Sequence, residues 1–153
     1  MHIITDEEKS IATELAKEFF KKLGVEVGVT VEAKEDTLDV VLETEESGII
    51  IGYHGETLES LQLILSLAVS KKIGHFIRVM IDVGDYRKQR TEYLNQLAQQ
   101  MKESVLREQQ ERTVTSLKSW ERRVVHMILK DDAEVTTESR GTGRDRVLII
   151  KPR

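Results

Sequence analysis

The chain has 153 residues, 39% of them hydrophobic, enough for one ordinary domain or two small packed ones and too little for a large enzyme. Twenty-seven acids against 23 Lys and Arg give a formal net charge of −4, which excludes a uniformly basic nucleic-acid coat and requires any polyanion site to be local. The absence of cysteine excludes disulfides, thiolate zinc sites and thiol catalysis. Apolar runs are short and the N-terminus lacks a basic segment followed by a hydrophobic one, so the expectation is a cytoplasmic protein with no signal peptide and no membrane insertion.

Residues 1–59 carry 5 basic and 15 acidic side chains, and residues 60–153 carry 18 basic and 12 acidic ones. The acidity is therefore an N-terminal property. From Arg140 onward five basic residues face a single acid, Asp145.

In chain order, Ile11, Leu15, Ala16, Phe19, Phe20 and Leu23 recur at helical spacing, predicting a first helix over 6–23 capped by Thr5 or Asp6. Gly24 ends it. Val25, Val27, Val29, Val31 and Ala33 alternate with Glu26, Gly28, Thr30 and Glu32 as a half-buried strand, and a second strand follows over 38–43. A short helical segment and Gly52-Tyr53-His54-Gly55 then lead into an amphipathic helix over 56–72, with Leu58, Leu61, Leu65 and Ala68 expected inward. Gly74 closes that helix before a third strand over 77–83. Gly84-Asp85 marks the expected boundary between a domain at 1–84 and another at 86–153. A long helix over 86–109 buries Leu94, Leu97, Ala98, Met101 and Val105; residues 112–117 form a strand or an extended connection. Ser119 is expected to cap a helix reaching Lys130 with Trp120, Val124, Met127 and Ile128 as its apolar residues. Strands over 134–137 and 146–151 flank a Gly-rich turn, which completes an α+β chain of two small modules.

Two motifs carry chemistry. In Ile51-Gly52-Tyr53-His54-Gly55, paired glycines before a helix allow a sugar-phosphate backbone to approach the main chain, and the N–H groups of the helix start favour phosphate. A tight helix-helix turn uses two glycines equally well. Tyr53 offers a face for base stacking and His54 a hydrogen-bond donor. In the second motif Arg122 and His126 lie four residues apart on one helix face: Arg supplies a rigid fork for phosphate, His a donor that also stacks on a base. Arg123, Arg140, Arg144 and Arg146 would complete a basic patch if the turn holding Gly141 and Gly143 lay beside that helix, which spacing alone does not decide. As a plain hairpin turn, Gly141-Thr142-Gly143 needs no function.

The string Ile-Ile-Gly-x-x-Gly-x-x-Leu-x-x-Leu-x-x-Ile in an α-β-β-α-α-β order resembles a type II KH domain, whose members clamp four nucleotides of single-stranded nucleic acid. Here Tyr53 and His54 stand where Lys or Arg is usual, which implies a weaker phosphate grip. The string from Ser119 to His126, with 135–147 downstream, resembles an R-three-H domain, named for its Arg-x-x-x-His motif, and implies binding of single-stranded nucleic acid by Arg122 and His126. The two in this order resemble the Jag family, the SpoIIIJ-associated proteins of bacteria. That resemblance implies a cytoplasmic RNA-binding protein, often paired with a small KH-domain partner and linked to cell elongation and division. The family's N-terminal Jag domain has no counterpart, by truncation or as a genuine short form, and Ser116-Leu117-Lys118-Ser119-Trp120 replaces the prolines common before Glu-Arg-Arg.

His2, His54, His75 and His126 lack ligand spacing, and no nucleophile-base pair or carboxylate pair is apparent, so no catalytic residue, metal or cofactor is expected. The reading that results is a non-catalytic binder of single-stranded RNA or DNA. Its alternatives are an interaction scaffold whose KH unit mediates homodimer or partner contacts, and a phosphate-processing enzyme using Arg122 and His126.

Overall fold

The structure is a computed structural model that describes residues 3–153; Met1 and His2, the second a histidine weighed above, lie outside the described residues. It divides into two compact units, 1–87 and 88–153.

The first unit runs α1 (Asp6–Lys22), β1 (Gly28–Lys34), β2 (Thr37–Glu43), α2 (Ser47–Ile51), a single 3-10 turn at Tyr53–Gly55, α3 (Glu56–Ile73) and β3 (Arg78–Val83). This is the α-β-β-α-α-β order expected. Thr5 caps α1: its hydroxyl accepts from the Glu8 N–H at 3.2 Å, and the Glu8 carboxylate accepts from the Thr5 N–H at 2.8 Å. The strands lie in the order β1-β2-β3, β1 antiparallel and β3 parallel to β2. Ala12, Ala16 and Phe20 of α1, Leu65 and Val69 of α3, and Leu38, Val40, Val79 and Ile81 of the sheet form one core.

Several burial expectations shift. β1 starts at Gly28 rather than Val25 and buries only Val31, because it is an outer strand whose alternate residues meet solvent. Leu23 is exposed. On α3 the buried residues are Leu58, Leu65, Ser66 and Val69, with Leu61 and Ala68 half-buried.

The burial of Ser66 has a use. β3 pairs with β2 along one edge only, and the backbone groups of Ile77, Val79 and Ile81 on its other edge need partners. Three α3 side chains four residues apart supply them. Gln62 Oε1 accepts from the Ile81 N–H at 2.9 Å, Ser66 Oγ from the Val79 N–H at 3.1 Å, and Ser70 Oγ from the Ile77 N–H at 3.0 Å. The two serines also donate to the carbonyls of Val79 and Ile77.

The second unit is formed by most of α4 (Tyr86–Glu108), with β4 (Arg112–Val114), α5 (Ser119–Leu129), β5 (Val135–Arg140) and β6 (Val147–Pro152). β6 lies between β4 and β5, antiparallel to both. Leu94, Ala98 and Val105 of α4, Val125 and Leu129 of α5, and Val114, Val135, Leu148 and Ile150 of the strands make its core. β5 reaches Arg140, three residues further than expected, because pairing with β6 continues to Arg140 opposite Val147. Ser119 is not the cap of α5; Lys118 holds that position, and Ser119 is the first helical residue. Of the apolar residues of α5, Trp120 and Met127 are exposed, since the buried stripe is Glu121, Val125 and Leu129, flanked by half-buried Val124 and Ile128.

Candidate nucleic-acid interface

In the first unit, α2 ends at Gly52, whose N–H donates to the Gly48 carbonyl at 2.9 Å. Gly52 (φ 68°) and Gly55 (φ 74°) both have left-handed φ, and neither has room for a side chain: a Cβ would lie 2.6 Å from Thr57 Cβ and 2.7 Å from Tyr86 Oη respectively. Both glycines are therefore required by the turn's own packing, whatever else they admit. Tyr53 is 76% exposed, and its ring meets that of His54 edge-to-face with centroids 4.1 Å apart. His54 adopts φ 51°. The neighbouring apolar side chains divide: Ile50 is buried, Ile51 packs partly against the core, and Ile49 is 62% exposed.

In the second unit, Arg122 is held by neutral oxygens. Its Nη1 donates to the Leu117 carbonyl at 2.6 Å and to the Arg146 carbonyl at 3.5 Å, and its Nη2 donates to Ser119 Oγ at 3.1 Å. The contact with Arg146 puts the backbone at the end of the β5–β6 turn within reach of Arg122 on α5. His126 Nδ1 and Thr137 Oγ1 share a hydrogen bond of 2.5 Å, which ties the ring to β5 and leaves Nε2 outside that contact.

The remaining arginines separate by partner. Arg140 faces Glu138 at 3.5 Å and Glu111 at 3.9 Å, and Lys151, then Arg140, hold the Glu138 carboxyl below the usual carboxylate range. Much of the Arg140 charge is thus already answered. Arg123, Arg144 and Arg146 are exposed, and their side chains make no ion pair or hydrogen bond among the described residues. In the turn itself, Gly141 (φ 93°) is needed for space, since a Cβ would stand 3.0 Å from the Asp145 carbonyl oxygen; Gly143 (φ 58°) is needed for conformation alone, with open space around it.

Glu121 did not stand out in the sequence. It is 1% exposed, and its carboxylate accepts from Arg90 Nε of α4 at 2.5 Å and from the Lys118 N–H at 2.9 Å. It fixes the start of α5 and stands one residue before Arg122. The legible signal was an acid in the first turn of a helix, where it accepts from the helix's own N-terminal N–H.

Among the described residues no helix is long and apolar enough to cross a membrane, and no cluster of His, Asp and Glu has metal-binding geometry.

Residues 9–82 match the family model for the KH domain of KhpA and KhpB, and residues 92–152 match the R-three-H domain model. A relative from Clostridium symbiosum named RNA-binding protein KhpB is 35% identical over 141 residues, covering 91% of this chain and 64% of the relative. Its namesake in Bacillus subtilis is 32% identical over 124 residues, covering 80% of this chain and 60% of that protein. The one in Streptococcus pneumoniae is 28% identical, with 93% and 44% covered. This chain thus spans between 44% and 64% of the length of these relatives. It carries a KH domain followed by an R-three-H domain.

Proposed function

We propose, since the chain belongs to the Jag family of proteins that join a KH domain to an R-three-H domain, that it binds single-stranded RNA without altering it chemically, chiefly through its second unit. The observation that carries this is a set of exposed cations with no internal partner among the described residues: Arg123, next to Arg122 on α5, and Arg144 and Arg146, in the turn whose Arg146 carbonyl accepts from Arg122. Charges left unanswered at one place are available for phosphate; charges already paired are not. Arg122 positions the turn through the Arg146 carbonyl, and His126 presents Nε2. The expected cellular setting is the cytoplasm, where such RNA is found. Binding of a labelled 12-nucleotide RNA across a salt series tests the proposal. Replacing Arg144 and Arg146 by Gln should lower the log–log salt slope by roughly 1.4, at about 0.7 for each phosphate contact in a single strand. An unchanged slope removes these residues from the site. Turnover of the RNA that is lost in His126→Ala while binding persists would instead make the protein an enzyme.

A second reading concerns the first unit, for which one observation favours protein contact. Leu63, Ile64 and Leu67 of α3 are 62%, 51% and 58% exposed on one helix face, in a unit with 9 basic and 17 acidic side chains. We infer that this face pairs with a second copy or with a small KH-domain protein. Light scattering should show Leu63→Lys/Leu67→Lys shifting the wild-type assembly to monomer; a wild-type protein that is monomeric, alone and with such a partner, defeats the reading.

A further inference from the structure

Resting on the RNA-binding reading above, we propose that the exposed face of α5 is a base-stacking platform, with Trp120 as its anchor and Arg123 and Met127 continuing it. The outward stripe of α5 is Trp120, Arg123, His126, Met127 and Lys130, and it contains no acid. Trp120 is 36% exposed and Met127 56% exposed, although both are large enough to be worth burying. The core of the unit is completed without them by Val125 and Leu129.

The exposed third of Trp120 is carried on a regular helix and is therefore fixed in place, and every base has a π-face to lay against an aromatic ring. Arg123, three residues on, adds a planar guanidinium that no carboxylate among the described residues occupies. From Trp120 to Met127 the helix rises about 10 Å, roughly the length of three stacked nucleotides at 3.4 Å each. Arg144 and Arg146, without a partner among the described residues, lie in the turn whose Arg146 carbonyl accepts from Arg122 of the same helix, on the His126 side of the stripe, and would supply charge for a backbone whose bases lie on α5. The occupant is therefore unpaired nucleobases of a single strand. A duplex keeps its base faces inside its own stack.

The chain has one tryptophan, so its emission reports on this position alone. The test titrates the full chain with a 12-nucleotide single-stranded RNA of mixed sequence and with the matching duplex. Tryptophan emission is followed alongside anisotropy of a labelled strand. The expected result is quenching by the single strand only, a roughly 5- to 150-fold loss of affinity in Trp120→Ala at unchanged salt slope, and near wild-type affinity in Trp120→Phe. An unchanged melting temperature in both variants separates lost stacking from lost folding. Binding without quenching, with Trp120→Ala as tight as wild type, overturns the platform and leaves the RNA-binding reading standing. Equal quenching by the duplex also overturns it. Failure of the wild-type protein to bind the single strand at all overturns the RNA-binding reading itself, and the platform with it.

Discussion

Glu121 shows how a single buried charge sets the geometry of the proposed site. Its carboxylate accepts from Arg90 and from the Lys118 N–H, and so fixes both the start of α5 and its attachment to α4. Removing the carboxylate deprives the partly buried Arg90 and the Lys118 N–H of this acceptor. Glu121→Ala should therefore cost about 3 kcal/mol in urea unfolding of this unit; a loss below about 1 kcal/mol would mean that the pair is dispensable. The glycines allow a comparison at the same scale. Gly74 ends α3 at φ 98° with nothing near its missing side chain, whereas Gly52 is both left-handed and crowded by Thr57. Gly74→Ala should cost about 1 kcal/mol and Gly52→Ala distinctly more, since only the second adds a clash to the backbone strain. Equal melting shifts for the two would contradict the crowding argument. For probing RNA contact in this loop, Tyr53 and His54 are the better targets, because Tyr53 is exposed and its replacement leaves both glycines in place.

Among the elements, ion pairs and side-chain bonds hold segments that hydrophobic burial alone does not fix. Lys102 of α4 meets Asp132, on the α5–β5 connection, at 2.6 Å. Lys102 first, then the backbone N–H groups of Glu134 and Val135, hold the Asp132 carboxyl below the ordinary range; Asp132 in turn raises the Lys102 ammonium. A carboxyl depressed in the folded state contributes stability that is complete above its unfolded pKa, about 4, and disappears as pH falls through the folded value. The difference in melting temperature between wild type and Asp132→Asn should be constant above about pH 5 and shrink progressively below pH 4. A difference that persists at pH 2 would assign it to something other than this charge. In the first unit, Ser66→Ala leaves the N–H and carbonyl of Val79 without their partner and should cost about 2 kcal/mol, with faster amide exchange at Val79.

The element order of both units was legible in the sequence because period and punctuation agreed: Thr5 before an acidic first turn, glycines at helix ends, alternation in Ile77 to Val83. Less legible was which face of α5 turns inward. Its apolar residues occupy more than one stripe, and the buried one is opened by a carboxylate, Glu121, that apolar counting discards. The Arg122–Arg146 bond was invisible for a different reason, being a tertiary contact between residues 24 apart that no local pattern encodes. Ser66 and Ser70 read as ordinary polar positions on an amphipathic helix. Only the strand edge beside them shows their use.

For the molecule as a whole, the net charge of −4 averages two unlike parts: 9 basic and 17 acidic side chains up to Arg87, and 14 basic and 10 acidic from Lys88. Electrostatic steering of a polyanion belongs to the second part, and the first opposes it unless its own contacts are specific. Arginines there should not weigh equally. Arg140→Gln removes a cation already paired with Glu111 and Glu138, so it should lower the salt slope of RNA binding by less than Arg144→Gln does. The same titration series that compares the two variants would contradict this if Arg140 proved the larger contributor.

The row of Gln62, Ser66 and Ser70 along β3 has a last consequence for how this sheet meets other chains. A sheet with two open margins is a divalent monomer for strand-by-strand polymerisation, able to accept one neighbour and offer a template to the next. Here one margin is terminated by the protein's own side chains, so strand addition is confined to the β1 side. The first unit is in that sense a chain stopper: intermolecular strand pairing can join two molecules margin to margin and then has nowhere further to grow.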